Sequence, residues 1–133
     1  MENLITGQCH CGTVQWQAVL PHKMALNCHC NMCRSLSGAD FSSWVVFAAA
    51  NFKLTSGIEG LTTYQASDTF SKSFCTKCGS TVSCINDAKF PNHVFITKGN
   101  ITSEFSLPAK IQVCTTDKAN WVEIDENIAV FNP

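Results

Sequence analysis

The chain predicts a small, sheet-rich fold with few and short helical turns, on three observations. Runs rich in β-branched and aromatic residues recur at a spacing of roughly 8 to 12 residues. No stretch sustains the helical apolar period for more than about two turns. Two glycine-terminated cysteine pairs, Cys9-His10-Cys11-Gly12 and Cys75-Thr76-Lys77-Cys78-Gly79, are each followed by an alternating run. Each pair therefore reads as a tight turn opening onto a strand, its glycine supplying the positive φ such turns require.

In chain order, Val14, Trp16 and Ala18 alternate with Thr13, Gln15 and Gln17, the pattern of a half-buried strand. Leu20-Pro21-His22-Lys23 breaks it. The short apolar run Met24-Ala25-Leu26 leads into Cys28-His29-Cys30-Asn31-Met32-Cys33-Arg34, a triplet expected on a loop. Asn31 to Ser37 has room for one or two helical turns before Gly38 ends them. Ser43–Phe47 and Phe52–Thr55 then read as strands, with Ala48 to Ala50 as a link and Gly57 to Gly60 as a turn. Further strands are expected at Leu61–Gln65, Phe70–Phe74, Thr81–Ile85 and His93–Thr97. Pro108 restarts the chain, Ile111–Val113 is the next candidate, and Asn120–Ile124 is expected as a last short strand.

At 133 residues the chain has the size of one domain, and 45% hydrophobic against 14% charged residues fits a compact, apolar globule. The formal net charge is -1. Its cations (Lys23, Arg34, Lys53, Lys72, Lys77, Lys89, Lys98, Lys110, Lys118) are scattered, which argues against nucleic acid as a partner. The first residues lack a basic and an apolar leader region, and no run approaches a membrane span, so a cytoplasmic protein without membrane contact is expected. The apolar composition could leave a sticky strand face, and a homodimer is expected on that ground.

Nine cysteines need a reason in a reducing compartment, and an odd number excludes complete internal disulfide pairing. Metal thiolates supply it. The two glycine-terminated pairs have the form of zinc knuckles facing each other across a ribbon, so Cys9 and Cys11 pair with Cys75 and Cys78 as a closed four-thiolate site. A filled shell has no place for substrate and adds binding energy to folding. Cys28, Cys30 and Cys33 remain as a three-thiolate site with an open corner. Cys84 and Cys114 are the candidates to close it, although a cysteine in apolar strand text commonly serves as a small buried hydrophobe. His10 and His29 lie between ligands, point away from the metal, and are expected to hydrogen-bond behind it. His22 and His93 have no motif. Arg34 has two readings: a cation that offsets the thiolate charge and grips a substrate carboxylate, or an ordinary solvated or ion-paired side chain.

Three blocks in order carry a resemblance: Gly7-Gln8-Cys9-His10-Cys11-Gly12 with Val14; Cys28-His29-Cys30-Asn31-Met32-Cys33-Arg34 with Ser37-Gly38-Ala39; and Phe74-Cys75-Thr76-Lys77-Cys78-Gly79. With Trp44 and the closing Trp121-Val122-Glu123-Ile124-Asp125, they resemble the glutathione-dependent formaldehyde-activating enzyme family, also called the centromere protein V family, over nearly the whole chain. The resemblance implies an Mss4-like fold, mainly β, with small twisted antiparallel sheets around zinc, and one zinc-binding domain over 1–133. It implies two zinc ions: a structural one on Cys9, Cys11, Cys75 and Cys78, and an exchangeable one on Cys28, Cys30 and Cys33. The implied activity is that of a carbon-sulfur lyase run backwards, joining glutathione and formaldehyde into S-(hydroxymethyl)glutathione. Near the C-terminus, Pro108-Ala109-Lys110-Ile111-Gln112 stands where many relatives carry a histidine after the proline.

Three functions compete on this reading. One is a lyase-like enzyme, with Cys28, Cys30 and Cys33 as the catalytic group on a small thiol such as glutathione and Arg34 orienting it. The second is a non-enzymatic zinc-binding interaction module, with the triplet closed by Cys84 or Cys114. The third is a thiol or metal sensor that gains and loses the second zinc on oxidation.

Overall fold

The computed structural model describes residues 3–105 and 111–132. The fold is mainly β, in two sheets with a single two-turn helix. Strands β1 (Leu4–Gln8), β2 (Gln15–Val19) and β5 (Phe52–Ser56) form a three-stranded antiparallel sheet. The larger sheet holds β3 (Met24–Cys28), β4 (Ser42–Ala48), β6 (Leu61–Gln65), β7 (Phe70–Cys75), β8 (Thr81–Asn86), β9 (His93–Thr97), β10 (Ile111–Val113) and β11 (Val130–Phe131), in the order β11-β10-β3-β4-β9-β8-β7-β6. Helix α1 (Asn31–Ser37) follows β3 directly.

Alternation along β4 divides the interior. Val45 and Phe47 join Ile5, Trp16, Ala18 and Ile96 in the core between the sheets, whereas Trp44 and Val46 face the other side with Leu26, Cys84 and Phe95. The expected inward set Val14, Trp16 and Ala18 is buried. Gly7 pairs with Trp16 across β1 and β2, and a Cβ there would overlap the indole and the Asn100 carbonyl. Only glycine lets the ring lie flat on its neighbour strand.

Besides strands β1, β3 and β11, which the sequence expectations do not include, the structure departs from those expectations at three places. The expected strand at Asn120–Ile124 is turn and irregular chain, with Trp121 66% exposed, because its ring is held at the surface rather than against a core. The sheets are not wholly antiparallel: β10 runs parallel to both β3 and β11, since no hairpin connects them. The cysteine triplet is not confined to a loop. It begins on the last residue of β3 and ends inside α1. The Pro108-Ala109-Lys110 stretch lies outside the described residues.

Candidate metal centres

The two knuckles adopt the same turn. Gly12 has φ 81° and its N–H donates to the Cys9 carbonyl at 3.1 Å; Gly79 has φ 80° and donates to the Cys75 carbonyl at 2.8 Å. Each turn thus folds two thiols to one side, as the spacing predicts. A further bond, from the His10 N–H to Ser80 Oγ at 3.0 Å, fastens one turn to the other. The His10 side chain is exposed.

The four sulfurs of Cys9, Cys11, Cys75 and Cys78 lie within 4.8 Å of one another. Cys9 and Cys11 are 3.6 Å apart, and Cys11 and Cys75 are 3.7 Å apart. A tetrahedron with zinc–sulfur bonds of about 2.3 Å has edges of about 3.8 Å, so this donor set fits zinc in size and in chemistry. Hydrogen bonds prepare the charge. The Ser80 hydroxyl and then its N–H hold Cys78 down to about 5, and the Thr13 hydroxyl and N–H lower Cys11. The Val14 N–H points at Cys9 Sγ from 3.3 Å.

The second cluster forms where β3 becomes α1. Cys28 ends the strand, Cys30 caps the helix, and Cys33 sits one turn in; their sulfurs also lie within 4.8 Å of one another. Cys30 Sγ accepts the Cys33 N–H at 3.3 Å, in the position an N-cap oxygen usually fills. Gly38, at φ 65°, closes the helix by donating to the Arg34 carbonyl at 2.9 Å. Ser42 Oγ and Ser37 Oγ both donate to the Cys33 carbonyl, at 3.0 and 2.7 Å. Lys72 Nζ donates to the Leu36 carbonyl at 2.7 Å, tying the helix end to β7.

The three sulfurs divide one charge unequally. The thiols of Cys28 and then Cys33 hydrogen-bond to Cys30 and hold it down to about 2, which places the negative charge there. Cys28 is pushed up by Cys30, then by Cys33 and by burial. At Cys33 the Cys28 contact pulls downward, but Cys30, burial and the nearby charges win and raise it to about 12. A cation held by Cys28, Cys30 and Cys33 would relieve this competition by favouring the thiolate form of each.

His29 is buried, and its ring nitrogens are not among the mutually close ligand atoms of the triplet. Its Nε2 donates to Gln112 Oε1 on β10 at 2.7 Å, its ring lies 4.9 Å from Phe41, and Nδ1 has no partner among the described residues. His22 packs on Phe47 and Phe105, and His93 Nδ1 meets the Pro91 carbonyl at 2.9 Å.

Arg34, half-buried, donates from Nη1 to the Asp117 carbonyl at 3.1 Å and lies 5.6 Å over the Trp121 ring; Trp121 Nε1 donates to Asp40 Oδ1 at 2.8 Å. These contacts bind the C-terminal segment to α1. Cys84 is buried in the Trp44 cluster, outside the three-sulfur group. Cys114 adopts a left-handed conformation, φ 59°, and lines the same cavity as the triplet, but its sulfur is not one of the mutually close set.

That cavity was not visible in the sequence. It measures about 600 Å³, and Cys28, Cys30 and Cys33 lie in its wall. Leu26, Trp44 and Phe95 form its floor, and Met32, Val130 and Phe131 its rim. Lys89 is the one lining residue with an acidic or basic side chain among the described residues.

A model of the family described as glutathione-dependent formaldehyde-activating enzyme matches residues 4–117. A Halomonas elongata protein whose name provisionally assigns it that same activity is 29% identical over 129 residues, covering 92% of this chain and 82% of its own. A Schizosaccharomyces pombe protein named only as an uncharacterized lyase is 25% identical over 130 residues, covering 94% and 88%. In fold, a Rhodobacter sphaeroides crystal structure superposes with a TM-score of 0.64 at 23% identity, over 75% of this chain and 90% of that one.

Proposed function

The chain belongs to the glutathione-dependent formaldehyde-activating enzyme family, and we propose that it is a zinc-dependent carbon–sulfur lyase-like enzyme joining a small thiol to an aldehyde. The observation that carries this reading is the cluster of Cys28, Cys30 and Cys33 in the wall of a cavity large enough for a small molecule. Two zinc ions per chain fit the proposal: one closed in by Cys9, Cys11, Cys75 and Cys78, and one held by the triplet with a position left for substrate. The chain then works as a single zinc-binding domain, in the cytosol, where glutathione is available.

Zinc at the triplet would supply a Lewis-acid corner that keeps a bound thiol ionised near neutral pH. The chain's own residues do the rest by placement. Cys28, Cys30 and Cys33 aim that corner at the cavity, and the apolar floor keeps water from competing for the aldehyde carbon. The thiol sulfur bonds to that carbon, the carbonyl pair moves onto oxygen, and the proton lost by the thiol ends on that oxygen. With glutathione and formaldehyde the product is S-(hydroxymethyl)glutathione. Arg34 uses one of its donors on Asp117; the remaining donors would serve a carboxylate of the thiol. Because the two reactants also combine unaided, the gain expected is one of positioning.

The test is adduct formation followed with and without zinc-loaded protein. Acceleration that disappears in Cys30→Ser supports the proposal, and equal rates with and without protein end it. A sensor reading draws on Cys114, which lines the same cavity as the triplet. Its mark would be peroxide-driven release of the triplet's zinc alone.

A further inference from the structure

The cavity beside the triplet is far larger than formaldehyde, and its lining is more apolar than glutathione alone needs. Glutathione brings two carboxylates and an ammonium group, whereas among the described residues the lining offers one basic side chain, Lys89, beside the three sulfurs, and otherwise mostly carbon. Formaldehyde has one carbon. A space of about 600 Å³ falls within the range of about 300–1,000 Å³ typical of sites that enclose whole organic ligands. Its floor is the buried cluster of Leu26, Trp44 and Phe95, with the partly buried Met24, Phe70, Phe90, Ile111 and Val113 packed around it. Its rim is also apolar: Met32, Val130 and Phe131 are 38%, 52% and 59% exposed, large side chains left facing solvent around one opening.

We propose that the carbon–sulfur adduct handled by Cys28, Cys30 and Cys33 carries an apolar body, an aliphatic chain or aryl group of roughly six to ten carbons, seated on Leu26, Trp44 and Phe95. This rests on the triplet acting on thiol–aldehyde adducts. The chemistry stays balanced without a further reactant: the sulfur–carbon bond forms, the carbonyl opens, and the thiol proton passes to oxygen. The apolar body enters either as the aldehyde or as the thiol. In both cases its burial strengthens binding and holds the reacting end beside the triplet.

The experiment is calorimetric titration of the zinc-loaded protein with thioethers that cannot react. S-methylglutathione mimics the formaldehyde adduct, S-octylglutathione an adduct of a long aldehyde, and methyl octyl sulfide an adduct of a long thiol. At least one octyl compound binds at least about tenfold more tightly than S-methylglutathione, and which one does so identifies the source. Val130→Glu and Phe131→Glu, at exposed rim positions, each weaken that binding about tenfold with an unchanged melting temperature. Equal affinity for all three thioethers overturns the inference. So does a Val130→Glu variant that dissociates a dimer while leaving octyl affinity intact, since the face would then serve a second copy of the chain. Rates with formaldehyde are measured in parallel. Acceleration there combined with equal thioether affinities removes only the apolar ligand, whereas tight octyl binding without acceleration of any aldehyde retains the ligand and removes the enzyme.

Discussion

His29 Nε2 sits 2.7 Å from Gln112 Oε1, joining the middle of the Cys28–Cys30 turn to a strand far along the chain. Both residues are buried, so neither partner can turn to water. Gln112→Ala is expected to lower unfolding free energy by about 1–3 kcal/mol, the cost of stranding a buried polar group. Urea denaturation measures this, and a midpoint equal to that of the unchanged protein refutes it.

The two sulfur clusters should differ in what they do for stability. Cys75→Ser breaks a site that ties the turn before β2 to the turn before β8, whereas Cys30→Ser affects a site built within one short segment. Loss of the first is expected to cost several kcal/mol and roughly 10 °C or more of melting temperature, and loss of the second much less. Calorimetry with zinc analysis on both variants decides. A larger loss from Cys30→Ser reverses the assignment of structural and exchangeable sites.

Burial pushes the Cys84 thiol up to about 12 from an ordinary 9.0, with Lys72 opposing the shift. A thiol with a raised folded-state value stabilises the fold fully below its unfolded value. That contribution is lost as pH climbs through the window from 9.0 to about 12. Cys84→Ala should therefore flatten the fall of stability in that window. In the native protein at pH 8, Cys84 should be among the last thiols alkylated, as read by peptide mass spectrometry; early labelling contradicts its burial.

Arg34→Lys keeps the charge and loses the planar fork. If the free donors of Arg34 hold a thiol carboxylate, KM for glutathione rises several-fold while kcat changes little. An unchanged KM confines Arg34 to its contacts with Asp117 and Trp121.

The cysteine groups were legible because ligand spacing is a local property: a thiol pair and its glycine define their turn whatever surrounds them, and Gly12 and Gly79 do turn alike. The inward face of β2 was legible for a similar reason, since Val14, Trp16 and Ala18 alternate strictly. Strand β1 was harder, because Leu4-Ile5-Thr6-Gly7-Gln8 has little apolar text and owes its place to Trp16 lying over Gly7. The alternation near Trp121 misled for the opposite reason, its ring being engaged by Arg34 and Asp40 outside any sheet. The cavity left no local mark at all. Its walls come from β3, β4, β7, β8, β9, β11 and α1, and the parallel pairing of β10 with β3 brings a further wall to the triplet.

That parallel pairing also sets an order of events during synthesis. A ribosome delivers Cys28, Cys30 and Cys33 well before Ile111–Val113 exists. Over that interval the three sulfurs belong to a nascent peptide with no wall behind them, open to any thiol-seeking ion or oxidant. Cys75 and Cys78 likewise arrive long after Cys9 and Cys11, so neither cluster has its final surroundings early in translation. An ion taken up at either cluster would therefore meet its final protein surroundings only after these later segments had been made.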